Sequence, residues 1–120
     1  MKTDNNFSFI DTKYLYNVSK NNDFLKKIFS LFKQEVQVFI KDLPKYLEEK
    51  NFEDLSGLVH KAKSSISILG MIKQAESMKL LETDIRNLNH SETYEERINQ
   101  FISDCKNAVS EIEILEKSLS

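Results

Sequence analysis

Apolar residues recur at intervals of three and four along most of this chain, and few residues interrupt them. The sequence contains only two glycines and one proline in 120 residues. Because Gly and Pro supply many of the turns in sheet proteins, this scarcity disfavours a fold built of many short strands. The spacing instead places apolar side chains along one face of a helix. The pattern therefore predicts an all-α fold with a few long helices.

The chain divides into one short and four long amphipathic segments. Residues 11–12, 21–23 and 51 carry side chains that can cap the start of a helix, as does either Ser91 or Thr93, and Gly70 can end one. Four long helices with short connections favour an antiparallel up-down arrangement. The sequence therefore predicts an antiparallel up-down four-helix bundle with a short additional N-terminal helix.

The two ends of the predicted domain follow from the same pattern. Residues 1–10 are expected to form a flexible N-terminal segment, and residues 11–120 a single helical domain. Phe7, Phe9 and Ile10 leave open the alternative that this segment folds back onto the bundle.

The fourth amphipathic segment is expected to run to about residue 89. Its buried stripe is predicted to contain Ile72, Ala75, Met78, Leu81 (or Leu80), Ile85 and Leu88.

Composition limits the classes of partner. Lys and Arg total 17 against 19 acidic residues, for a formal charge of -2, and no block of like charge suggests a nucleic-acid surface. No apolar run approaches the length of a membrane span, and residues 1–6 lack the apolar core of a secretory signal. The lone Cys105 is compatible with a reducing compartment and is expected to be a buried apolar residue. We therefore expect a cytoplasmic protein. A monomer is the expected state of the chain.

His60 lies on a segment where apolar and polar residues separate onto two helical faces. One face collects the apolar side chains of Leu55, Leu58, Val59, Ala62, Ile66 and Leu69. His60 falls on the opposite face, where its helical neighbours are mostly small or polar: Glu53, Ser56, Gly57, Lys63, Ser64 and Ser67. The imidazole is therefore predicted to face water, with one ammonium group a turn away.

This arrangement suits phosphoryl transfer through a histidine. An exposed imidazole is largely neutral near pH 7, because the ordinary pKa of histidine is about 6.5, and its ring nitrogen is then a nucleophile. Lys63 is predicted to stabilise the charge of the phosphoryl oxygens. The short side chains at Ser56, Gly57, Ser64 and Ser67 are predicted to leave room for a second protein. Gly57 favours this reading, since glycine inside a helix costs roughly 1 kcal/mol relative to alanine.

The residues around His60 resemble the histidine-containing phosphotransfer (HPt) domains of multistep phosphorelays. The family pattern is approximately Ala-His-x-Leu-Lys-Gly-Ser-Ser/Ala, followed by Leu-Gly-Ala. Here residues 59–65 are Val-His-Lys-Ala-Lys-Ser-Ser, and residues 69–71 are Leu-Gly-Met. Residues 24–32 and the pair Leu81-Glu82 also resemble family segments. The chain departs from the pattern at three positions. Ser64 replaces glycine, which narrows the approach to His60 slightly, and the apolar Val59 and Met71 replace alanine and a small residue.

The resemblance implies a phosphorelay intermediate of a two-component system. His60 would accept a phosphoryl group from the aspartyl phosphate of one response-regulator receiver domain, such as that of a hybrid histidine kinase. It would pass the group to the receiver aspartate of a downstream regulator. Mg²⁺ is expected on the receiver partner only, and no cofactor or metal on this chain. The sequence carries neither a phosphate-binding glycine loop nor the kinase motifs, so we expect a phosphocarrier rather than an enzyme.

Two alternatives remain open at the level of sequence. The chain could be a non-catalytic helical interaction module that binds receiver domains without phosphotransfer, because such a module would share every packing feature. Glu82 could approach the imidazole from the neighbouring helix and orient it, or it could be a solvated glutamate. His90 is expected to be a residue at a helix end without a chemical role.

Overall fold

The computed structural model describes residues 7–119, and this part of the chain is all-helical. A single 3-10 turn, Ser91–Thr93, precedes the last helix. The α-helices in chain order are α1 (Thr12–Val18), α2 (Asn22–Glu48), α3 (Phe52–Ser67), α4 (Ile72–Asn87) and α5 (Tyr94–Leu119). Residues 7–119 contain no strand, which confirms the predicted all-α class for them.

Polar side chains begin three of the helices as the sequence predicts. The side chains of Asp11, Asn21 and Asn51 accept hydrogen bonds from backbone N–H groups in the first turns of α1, α2 and α3. Gly70 follows α3 with a φ of 77°, a left-handed conformation that glycine adopts without a Cβ penalty. These local signals place His60 near the middle of α3.

The core lies where α3 packs against α2 and α4 and where α2 packs against α5. Phe29, Phe39 and Tyr94 are its largest fully buried side chains, and the rings of Phe39 and Phe101 lie 5.9 Å apart. Burying one such side chain stabilises the fold by about 2–3 kcal/mol. Cys105 is buried here as predicted, and burial raises the pKa of its thiol to about 12.

The apolar stripe of α4 is shorter than the sequence predicts. Met78, Leu81 and Ile85 are buried, whereas Ile72 and Leu88 remain 62% and 61% exposed. The prediction is wrong at both ends because α4 packs mainly along α3 and touches α5 over a smaller area. Burial in α4 therefore runs from Met78 to Ile85, whereas Ile72 at the start of the helix and Leu88, which caps its end with a left-handed φ of 55°, are exposed.

The end of the predicted flexible segment is anchored to α5. The carboxylate of Glu111 accepts hydrogen bonds from the backbone N–H groups of Ser8, Phe9 and Ile10 at 2.8, 3.0 and 3.0 Å. Ile10 is buried in the core, and the Asp11 N–H donates to the carbonyl of Leu69. Residues 8–10 therefore follow the fold-back alternative. Residues 1–6 lie outside the described part of the chain.

The helices of the described region are too short or too polar to cross a membrane. The longest, α2, carries charged side chains throughout its length. Its buried apolar side chains pack on α3 and α5, whereas those of Phe24, Leu31 and Val38 remain exposed.

Candidate functional site

His60 lies on the solvent side of α3, as the helical periodicity predicts. Its side chain is 56% exposed, whereas its neighbours Val59 and Ala62 are fully buried. The ring is not free of the protein, because Nδ1 lies 3.0 Å from Oε1 of Glu82 on α4. One edge of the imidazole is therefore fixed, and the ring still projects into water.

Glu82 connects His60 to two cations. Its side chain is 13% exposed, so its charge is partly withdrawn from water. Oε1 faces both Nδ1 of His60, at 3.0 Å, and Nζ of Lys63, at 3.8 Å. Oε2 accepts from Nε and Nη2 of Arg86 at 3.0 and 2.9 Å. Each oxygen of the carboxylate therefore has its own positively charged neighbour.

These contacts keep the carboxylate ionised. Partial burial raises the pKa of Glu82, but the hydrogen bonds with His60 and Arg86, together with their charges, more than offset that effect. The pKa of Glu82 is consequently lower than that of an ordinary glutamate. An ionised carboxylate only accepts hydrogen bonds, which constrains the group opposite it.

The ionised Glu82 selects one tautomer of the neutral imidazole. Because the carboxylate can only accept, Nδ1 of His60 must carry the proton and donate it. Nε2 then bears the lone pair of the neutral ring. No side chain within residues 7–119 forms a hydrogen bond with Nε2. The site therefore presents one nucleophilic nitrogen to the solvent.

The small residues predicted to clear the approach to His60 are not equally exposed. Gly57 and Ser64 lie on the surface, and a Cβ added at Gly57 would meet no atom within 4 Å. Ser67 is half-buried, and its hydroxyl donates to the carbonyl of Lys63 at 2.8 Å. Ser64 donates more weakly, at 3.4 Å, to the carbonyl of His60. The short side chains of these three residues therefore leave space beside the ring of His60.

Ser56 does not belong to this open surface. It is only 2% exposed, and its hydroxyl donates to the carbonyl of Glu53 at 3.0 Å. Ser56 precedes His60 by four residues, which turns it about 40° away around the helix. That rotation brings it to the side of α3 that α4 covers, so the prediction of an exposed Ser56 is wrong.

A shallow groove continues from His60 along the seam between α3 and α4. Lys63 and Ser67 line it from α3, and Tyr14 of α1 closes its far end. Its α4 side is lined by Ile72, Ala75, Glu76 and Lys79. Tyr14 and Ile72 are both exposed apolar side chains. The surface next to the imidazole therefore combines apolar groups with two lysines and one glutamate.

Arg86 is the site residue that sequence reasoning missed. The sequence placed Glu82 beside His60 as one of two alternatives, and the structure shows this arrangement at 3.0 Å. Arg86 follows Glu82 by four residues, a spacing that brings opposite charges together on a helix. That spacing was the available signal. Among residues 7–119, no group of three or more His, Cys, Asp or Glu side chains is placed to hold a metal ion.

No model of a known protein family matches the sequence, and no curated protein or solved structure matches it either. Any functional conclusion therefore rests on the residues around His60 and on their geometry. The decisive feature is an exposed imidazole whose inner nitrogen is bound to an ionised carboxylate.

Proposed function

We propose that the chain is an HPt-like phosphorelay intermediate in which His60 carries the phosphoryl group. The contact between Nδ1 of His60 and Oε1 of Glu82 is the observation that supports this most directly. It leaves Nε2 as the nucleophile, on a side chain that is 56% exposed. The residues that carry the family resemblance around position 60 are the same residues that build this site.

In the proposed transfer, the lone pair of Nε2 attacks the phosphorus of an aspartyl phosphate on a receiver domain. The N–P bond forms as the P–O bond to the aspartate breaks, and the aspartate leaves as a carboxylate. The proton on Nδ1 stays hydrogen-bonded to Glu82, which stabilises the positive charge that develops on the ring. Transfer to the second receiver reverses these steps, so no proton has to leave the site.

Lys63 is proposed to stabilise the phosphoryl oxygens. Its ammonium group shares Oε1 of Glu82 with His60, which holds it close to the ring without neutralising it fully at 3.8 Å. Arg86 adds a second positive charge to the cluster, against the single negative charge of Glu82. The resulting excess of positive charge favours a dianionic phosphoryl group next to the imidazole.

The proposed partners are receiver domains of response regulators. A receiver carries acidic residues around its reactive aspartate, and Lys63 and Lys79 line the groove that would face them. Exposed Tyr14 and Ile72 give this surface apolar contacts of the kind found at protein interfaces. Mg²⁺ would belong to the receiver. We place the exchange in the cytoplasm, where the buried free thiol of Cys105 is compatible with reducing conditions.

The finer architecture proposed with this function is an antiparallel up-down four-helix bundle with α1 as the short additional helix. Contacts between distant residues support it. Lys33, just before the middle of α2, pairs with Glu116, late in α5, at 2.8 Å. Glu35 of α2 accepts from Ser65, near the end of α3, at 2.8 Å. Further along α2, Phe39 contacts Phe101, which lies earlier in α5, so these pairs are those expected of neighbouring helices that run in opposite directions.

The test is incubation of the protein with ³²P-labelled, phosphorylated receiver domains. We expect acid-labile, base-stable label on the wild-type protein, as phosphohistidine chemistry requires. The His60→Gln variant should remain folded and take no label, whereas the matched control His90→Gln should be labelled normally. Label on His60→Gln would refute the assignment. Binding of receivers without label on any form would instead favour the non-catalytic interaction module.

A further inference from the structure

Arg86 contacts the site without touching the reacting ring. It is an exposed residue near the end of α4, with 55% of its side chain open to solvent, so it contributes little to the core. Both of its contacts go to one atom, Oε2 of Glu82, at 2.9 and 3.0 Å. Oε1, the other oxygen, is thereby left to face His60.

We propose that Arg86 is a positioning residue that holds the Glu82 carboxylate in the orientation that keeps the proton of His60 on Nδ1 and the lone pair on Nε2. This inference rests on the proposed function for its consequence in transfer, although the tautomer itself can be observed without any partner. The guanidinium group has five N–H donors in a rigid plane and no acceptor. It therefore fixes which atom of residue 82 turns away from the imidazole.

The expected effect of Glu82→Gln illustrates why the orientation of residue 82 matters. A glutamine has one oxygen, and Arg86 can bind only that atom. The amide NH₂ would then turn toward His60, where it requires an acceptor, so Nδ1 would have to give up its proton. The ring proton would move to Nε2 and block the nucleophile. Phosphoryl transfer to the Glu82→Gln variant should therefore be strongly impaired, although glutamine retains the shape of glutamate.

Removal of Arg86 should reverse this defect. Arg86→Met retains much of the aliphatic stem and loses every donor. In the double variant Glu82→Gln/Arg86→Met, the remaining cation is Lys63, which lies 3.8 Å from the position of Oε1. Lys63 is also only a donor, so it attracts the amide oxygen to the side that faces His60. Nδ1 can then donate again, and the productive tautomer returns.

The experiment measures the ring ¹⁵N shifts of His60 at a pH where the imidazole is neutral, together with transfer from a phosphorylated receiver. Wild-type protein should have the proton on Nδ1, and Glu82→Gln should have it on Nε2 with transfer at least ten-fold slower. The double variant should regain the Nδ1–H tautomer, and its rate of transfer should be at least three-fold higher than that of Glu82→Gln. Lys73→Met, which removes an exposed cation from the same helix, is the matched control and should behave as wild type.

A double variant no better than Glu82→Gln in both tautomer and rate would overturn the proposal. So would an Arg86→Met variant that raises only the KM for the receiver and leaves the effect of Glu82→Gln unchanged, because Arg86 would then act in docking. If the tautomer switches as expected but no form accepts a phosphoryl group, the positioning role stands and the proposed phosphotransfer fails. The two proposals can therefore fail separately.

Discussion

The two glycines of the chain should respond in opposite directions to the same substitution. Gly57 lies inside α3, one turn before His60, and an added Cβ would meet no atom within 4 Å. Gly70 lies after α3 with a φ of 77°, and its added Cβ would lie 2.6 Å from Cβ of Asp11 and 3.2 Å from Cβ of Tyr14. One site is open and helical, whereas the other is crowded and left-handed.

The expected magnitudes follow from these surroundings. Gly57→Ala should raise the free energy of unfolding by about 1 kcal/mol, because alanine restricts the unfolded chain and strains nothing in the helix. Gly70→Ala should lower it by about 2 kcal/mol or more. Alanine is disfavoured by 1–2 kcal/mol in the left-handed conformation, and its Cβ would also push α1 away from the α3–α4 turn.

Urea denaturation followed by circular dichroism measures both changes directly. In thermal melts, Gly57→Ala should shift the Tm upward by about 4 °C for a domain of this length. A Gly57→Ala variant that is less stable than wild type would show that the space beside His60 is not open. A Gly70→Ala variant as stable as wild type would refute the packing described for α1.

A second substitution at Gly57 distinguishes an effect on stability from an effect on receiver docking. If Gly57 is kept small so that a receiver can approach His60, Gly57→Phe should fold at least as well as wild type and yet transfer poorly. The defect should be a raised KM for the receiver, since the reacting nitrogen is unchanged. Unchanged transfer in Gly57→Phe would place the docking surface elsewhere.

Three further variants test the site and its support. Lys63→Ala should slow transfer about ten-fold, equivalent to about 1.4 kcal/mol in the barrier, and should change the unfolding free energy by less than about 0.5 kcal/mol in denaturation. Because the pKa of Glu82 is lowered in the fold, its contribution to stability is present above the ordinary glutamate pKa and is lost as the pH falls through the lowered value. Denaturation across that acidic range should therefore show a shallower loss of stability in Glu82→Gln than in wild type. Glu111→Ala should speed hydrogen exchange at the amides of residues 8–10, whereas exchange in the middle of α3 should remain slow.

Periodicity and caps were sufficient to predict much of the fold. The spacing of apolar residues predicts the helices, and Asn51 and Gly70 bound the helix that carries His60. The solvent-facing position of the His60 imidazole follows from the same helical periodicity, because Val59 and Ala62 must face the core. Each of these features depends on residues within a single helix or next to it, so it can be predicted from the sequence alone.

The remaining features depend on which helix covers which. Ser56 is buried because α4 covers its side of α3, and a helical wheel drawn for one helix does not contain that information. Leu88 is exposed because α4 ends at Asn87, so that Leu88 caps the helix in a left-handed conformation and does not continue the buried stripe. The anchoring of residues 8–10 joins positions about a hundred residues apart through Glu111. Arg86 could have been found by its spacing from Glu82, but its importance depends on the tertiary contact between Glu82 and His60.

The buried thiol of Cys105 gives the molecule an internal reporter. It is the only cysteine in the sequence, it has no solvent exposure, and burial raises its pKa to about 12. A thiol-reactive reagent can therefore modify the chain only during excursions in which α5 separates from the core. The rate of modification under native conditions measures how often such openings occur. Every variant at the His60 site can thus be compared for conformational integrity by mass spectrometry, without denaturant and without an added probe.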